Sequence, residues 1–160
     1  MLRYALTAAL AAAAFASPAA AQTFTGPRVS GHIGLADESV FGTDVVTFGG
    51  QVGFDHQSEG GAVVGLTGEY QNSEDTGRDL SLTFRGGGLA APNVLVYGMG
   101  GYTNLGVGSG TGVTLNGFRL GVGAEVALGT NAFVTVEQRY SNYELGVDGW
   151  QSVAGIGFRF

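Results

Sequence analysis

The chain has no cysteine, no lysine, only three prolines and, outside its first residues, no long apolar run. Each gap removes a class of protein. Without cysteine there is no disulfide framework and no thiolate metal site. Seven arginines stand against thirteen acidic residues, a net charge of −6, and that balance argues against nucleic acid as a partner. No stretch beyond the N-terminal segment approaches the ~18 apolar residues that a spanning helix needs. Scarce proline and the lack of a triplet period exclude collagen-like and low-complexity chains, despite thirty glycines where the usual share is roughly 7%.

What is present begins with an export segment. Met1-Leu-Arg3 is cationic, Tyr4 to Phe15 is a short alanine-rich apolar run, and Ala19-Ala20-Ala21 forms an A-x-A site before Gln22. This pattern predicts a signal peptide over residues 1–21, cleaved after Ala21, and one domain over 22–160.

From Pro27 onward the polarity alternates with a period of two, the signature of strands with one oily face. Eight segments emerge: 28–35, 45–55, 62–71, 79–88, 94–103, 115–128, 132–141 and 150–160. In the sixth, Phe118, Leu120, Val122, Ala124, Val126 and Leu128 oppose Arg119, Gly121, Gly123 and Glu125. In the last, Trp150, Ala154, Ile156, Phe158 and Phe160 oppose Gln151, Gly155, Gly157 and Arg159. The fifth is ambiguous, with apolar residues on both faces, and Phe133 breaks the seventh. Glycines among such strands fit a narrow interior where bulky groups crowd. Connections at 56–61, 89–93 and 129–131 alternate with those at 36–44, 72–78, 104–114 and 142–149, which are longer on the whole. An even strand count with alternating short and long connections predicts an all-β, eight-stranded, antiparallel up-and-down transmembrane β-barrel. Its outer loops carry Asp37, Glu38, Asp44, Glu74, Asp75, Glu144 and Asp148, with Asp79 at their border.

The charges within strands are sorted. Arg28, Arg85, Arg119, Arg139 and Arg159 fall on polar faces, as do Asp55, Glu69, Glu125 and Glu137, while Arg78 falls in a loop. An arginine facing lipid at mid-bilayer costs roughly 2–4 kcal/mol, so a membrane barrel would hold these groups inside. Charges buried there must pair. The expectation is an internal ion-pair network of Arg28, Glu69, Arg85, Arg119, Glu125, Glu137, Arg139 and Arg159 that plugs the lumen. Glu69, Arg119, Glu137 and Arg139 belong to its outer half, and Arg28, Arg159, Glu125 and Asp55 lie nearer the periplasm. Aromatic residues, Phe133 included, cluster toward strand ends, as two interfacial girdles would require.

Other chemistry finds no support. His32 faces inward and His56 sits in a turn, without the partners of a zinc site. Ser30 and His32 share a face, but nothing completes a hydrolase. Gly106-Val-Gly-Ser-Gly-Thr-Gly112 lacks the Lys and Ser/Thr of a phosphate loop. No catalytic, cofactor-binding or metal-binding residue is therefore expected.

The eight amphipathic segments, the seventh strand Val134-Thr-Val-Glu-Gln-Arg-Tyr140 and the ending Gly155-Ile-Gly-Phe-Arg-Phe160 resemble the small bacterial outer-membrane β-barrels, including opacity-type, porin-family and OmpA-like transmembrane domains. The resemblance implies a Gram-negative outer-membrane protein exported through the periplasm, with Phe158 and Phe160 as the signal read by the barrel assembly machinery. Expected partners are outer-membrane lipid or lipopolysaccharide, that machinery and an unspecified surface partner. The expected role is structural or surface-interacting and non-catalytic. The alternatives are a narrow small-solute pore and a lipid A-modifying enzyme.

Overall fold

The computed structural model describes residues 24–38, 44–73, 77–107 and 113–160. The expected signal peptide, and parts of three long connections, lie outside the described residues. Eight strands follow one another: β1 (Gly26–Glu38), β2 (Asp44–Gln57), β3 (Ala62–Ser73), β4 (Gly77–Ala91), β5 (Val94–Val107), β6 (Val113–Leu128), β7 (Ala132–Tyr143) and β8 (Asp148–Arg159). Each pairs antiparallel with the next, and β8 pairs with β1, so the sheet closes on itself. The strands run past the alternating cores of the sequence, typically by two or three residues at an end. His56 and Arg78 consequently belong to β2 and β4 rather than to turns.

The register fixes the tilt. A walk along paired residues from Arg28 through Gly53, Thr67, Thr83, Gly101, Arg119, Ser141 and Gly149 returns to β1 at Glu38. The wall therefore closes with a stagger of ten residues over eight strands, which demands strands inclined by about 35–45° to the barrel axis.

Alternation then decides which residues meet what. Ile33, Val52, Leu66, Leu82, Leu120, Val122 and Ile156 all point outward and are exposed. Ser30, Gln51, Thr67, Thr83, Arg119 and Arg139 point inward and are buried. A soluble barrel would reverse this sorting. Phe48, Tyr70, Tyr102, Phe118, Tyr140 and Trp150 ring the outer face toward the end away from the chain termini, called the distal end below; all but the half-buried Tyr140 are exposed. Phe54 and Phe158 stand toward the terminal end. Phe133 does not join a girdle: its ring turns inward and is buried.

The fifth strand's register is now defined. Val96 and Tyr102 face out, while Leu95 and Tyr97 face the lumen. These inward apolar groups are not misplaced, because Leu95 and Tyr97 pack with Val63 and Phe24 into an apolar floor at the terminal end. A smaller cluster of Leu105, Leu115 and Tyr143 lies at the distal end. Interior glycines make room for the large groups. A side chain at Gly101 would strike the carbonyl of Leu82, and one at Gly123 would strike the Tyr97 ring.

Candidate functional site

The lumen is the only place where the described residues gather buried charge. Five arginines and five carboxylates meet there, in two tiers. Their side chains converge because each occupies an inward position on its strand, and the stagger brings strands far apart in sequence to one level.

The terminal tier centres on Asp55, which is fully buried on β2. Arg85 grips it with two bonds, Nε to Oδ1 at 2.9 Å and Nη2 to Oδ2 at 2.5 Å. Such a fork-to-carboxylate pairing is the strongest arginine geometry. Arg159 Nη2 donates to Asp55 Oδ2 at 2.8 Å and to Glu125 Oε1 at 2.8 Å. Arg85 Nη1 donates to Glu125 Oε2 at 2.9 Å. Arg28 brings Nε to 3.1 Å from Asp55 Oδ2, close enough for attraction but not aligned to donate; its Nη2 donates to Thr67. Three arginines thus face two carboxylates.

Aromatic rings take up the surplus cation. The Arg159 guanidinium lies 5.2 Å from the Phe24 ring centroid and 5.6 Å from that of Phe133. Arg85 lies 4.7 Å from the Tyr97 centroid. The negative face of a ring attracts a guanidinium in this range.

The distal tier has the opposite imbalance, two arginines against three carboxylates. Arg119 donates to Glu69 Oε1 at 2.9 Å, to Asp79, and to Ser141 Oγ at 2.9 Å. Arg139 donates through Nη1 to Glu69 Oε1 at 2.9 Å and through Nε to Glu137 Oε2 at 2.7 Å. Neutral donors fill the remaining lone pairs. Thr103 and Tyr143 donate to Asp79 at 2.6 and 3.0 Å, Gln51 to Glu69 at 2.8 Å, and Tyr97 to Glu137 at 2.5 Å.

Two side chains join the tiers. Tyr97 lies under Arg85 and gives its hydroxyl proton to Glu137. Gln51 accepts from Arg28 at 3.5 Å and donates to Glu69. Beside Asp79 in the distal tier, Gln151 Nε2 donates to Thr47 at 2.7 Å and to Gln71 at 2.9 Å, an amide clasp across the lumen. A cavity of about 50 Å³ lies beside this clasp and is lined in part by Asp79, Arg119 and Tyr143.

The eight residues named from the sequence are all inside the barrel. Arg28, Arg85, Glu125 and Arg159 fall in the terminal tier, with Asp55; Glu69, Arg119, Glu137 and Arg139 fall in the distal tier. Arg119 does not touch Glu137, whose arginine is Arg139. Asp79 corrects the sequence reading, which set it at a loop border: it is 4% exposed and bound to Arg119. Its inward parity with Ser81 and Thr83 was the available signal. Tyr97 and Phe24 were not singled out, because nothing local shows that a ring will cover an arginine from another strand.

Among the described residues no group of three or more His, Asp or Glu side chains could hold a metal ion. His32 is buried, and neither ring nitrogen is hydrogen-bonded, so Ser30 and His32 are not bonded to each other.

Residues 6–160 match the family model described as outer membrane protein beta-barrel domain. The chain belongs to this family. Solved structures with the same fold include the Neisserial surface protein A, at 12% identity and a TM-score of 0.58 over 84% of this chain and 96% of that one. The N-terminal β-barrel domain of Pseudomonas aeruginosa OprF follows at 17% identity and a TM-score of 0.57, covering 83% and 97%. The attachment invasion locus protein Ail of Yersinia pestis, in complex with the heparin analogue sucrose octasulfate, gives 14% identity and a TM-score of 0.59, covering 85% and 97%. No curated protein sequence matches the chain. At these identities the structural likeness speaks for the fold, and the family places the barrel in the bacterial outer membrane.

Proposed function

We propose that this protein is a non-catalytic outer-membrane barrel whose lumen is shut by paired charges and whose role is structural or exercised at its distal surface. One observation carries the reading: the ion pairs and their bridging side chains fill the interior from the Phe24 floor to the Gln151 clasp. A barrel of eight strands leaves only enough room inside for side chains, and here those side chains are cross-linked by charge.

The distal turn supports a contact role. Leu145 is 88% exposed there, with its backbone at φ 65°. That left-handed conformation is costly for a non-glycine residue, and strain of this kind concentrates at functional positions. The connections on the same side are rich in Asp and Glu, which disfavours a polyanion like the one in the Ail complex and favours a neutral or cationic partner. Phe158 and Phe160 are exposed on the outer face, where the assembly machinery could read them before insertion. Lipopolysaccharide is the proposed surrounding lipid, and residues 1–21 the proposed export signal.

Two measurements test the reading. Liposomes loaded with the protein should not swell in small sugars, and mass spectra of lipid A should be identical with and without the gene. Rapid swelling would favour the narrow pore; an altered lipid A would favour an enzyme.

A further inference from the structure

Between the two aromatic girdles the outward-facing described residues are apolar except at one patch. Gln138 on β7 faces outward directly opposite Ser152 on β8, and Ser152 Oγ donates to Gln138 Oε1 at 2.7 Å. Both lie on the lipid side, two residues toward the terminal end from Tyr140 and Trp150, whose tilted rings meet with centroids 5.2 Å apart in the distal girdle. Two residues along an inclined strand amount to about 5 Å of depth. The Gln138 amide nitrogen has no hydrogen-bond partner among the described residues. In hydrocarbon, an unmatched N–H is expensive.

Beside this amide the wall is hollow. A groove of about 510 Å³ runs along β5 to β8, floored by Gly98 and Gly121 and walled by Leu120, Tyr140 and Trp150. Gly98 is not there for want of space. A Cβ on it would meet nothing closer than the Gly121 carbonyl at 3.9 Å, unlike the interior glycines.

We propose that this groove seats one acyl chain of a membrane lipid, whose ester carbonyl accepts a hydrogen bond from Gln138 Nε2. Hydrogen-bond complementarity picks the occupant. Aromatic rings mark the level of the headgroups, and acyl carbonyls lie just beneath that level, at the depth of Gln138. Shape points the same way. The wall of a closed barrel is convex, so a second copy would touch its ridges and leave a hollow empty, whereas a flexible chain fills it. The inference rests on the outer face meeting hydrocarbon.

Trp150 is the one tryptophan of the chain, and it lines the groove, so it reports directly. The chain from Gln22 is refolded into vesicles of dibrominated diester phosphatidylcholine, which quenches Trp150. Unbrominated diester or diether phosphatidylcholine is then added as competitor. The diester lipid should relieve quenching about threefold more effectively, the scale of one net hydrogen bond. Gln138→Leu should bring that ratio to about one, as should Gly98→Leu, which fills the groove and keeps the amide. Heat-modifiable gel migration verifies that each variant is folded. A ratio of one in the wild type, or an unchanged ratio in Gln138→Leu, would overturn the proposal. So would relief that follows the protein-to-lipid ratio instead of lipid type, which would put a second copy in the groove. Failure of the brominated host to quench Trp150 at all would instead sink the membrane-facing reading beneath it.

Discussion

The two tiers of the lumen solve opposite problems. Toward the termini, three arginines share Asp55 and Glu125; toward the distal end, Arg119 and Arg139 serve Glu69, Asp79 and Glu137. Surplus cation is placed against the faces of Phe24, Phe133 and Tyr97. Surplus anion is covered by O–H and N–H donors from Thr103, Tyr143, Gln51 and Tyr97. The asymmetry follows from the donor inventory. A guanidinium has five donors and no acceptor, so once carboxylates run out only a π-face or a neutral oxygen remains for it. A carboxylate accepts from any neutral donor. Tyr97 serves both tiers, with its ring on one and its hydroxyl on the other, and the opposite imbalances leave the ten paired groups neutral together.

Asp55→Ala should break this comparison most severely. It leaves three arginines with one carboxylate, and removing a partner from a buried charge cluster costs about 3–5 kcal/mol. Urea titration of the refolded barrel should report a loss of that order, and a midpoint equal to that of the wild type would refute the tier's role. Glu137→Ala should cost less, about 1–3 kcal/mol, because Arg139 keeps Glu69 at 2.9 Å and the tier loses its surplus negative charge. If it proves as damaging as Asp55→Ala, the distal tier is not relieved by losing an anion.

Tyr97→Phe separates the two functions of one side chain. The ring under Arg85 remains and Glu137 loses a donor, so the same titration should show a loss of about 1 kcal/mol. Phe133→Leu makes the converse change. It preserves apolar bulk beside Arg159 and removes the π-face, with an expected loss of about 0.5–1 kcal/mol beyond any repacking cost. Because Phe24 still covers Arg159, this should be the smallest effect of the four. A larger loss than that of Asp55→Ala would mean that the rings, not the carboxylates, hold the terminal tier.

Much of this architecture was readable from alternation alone. A period of two forces Arg28, Arg85, Arg119, Arg139 and Arg159 to one side of their strands, and the oily partners Val29, Phe84, Phe118, Tyr140 and Phe158 show which side is outward; Arg78, at the distal end of β4, has the opposite parity and is exposed. Partner choice was not readable, because it depends on the stagger of ten residues: Arg85 meets Glu125, and Arg139 meets Glu69, only after the sheet closes. Asp79 sits among turn-like residues, which hides in the sequence that β4 extends beyond it to Gly77. The fifth strand was ambiguous for a physical reason as well. Its inward Leu95 and Tyr97 belong to an apolar floor, so polarity ceases to distinguish inside from outside there.

Single-channel recording in planar bilayers tests the central claim most directly, that paired charge closes the lumen. The wild-type barrel should hold a flat baseline, with openings only in Asp55→Ala, where a tier has been unlocked. Stable conductance steps of equal size in both proteins would contradict it.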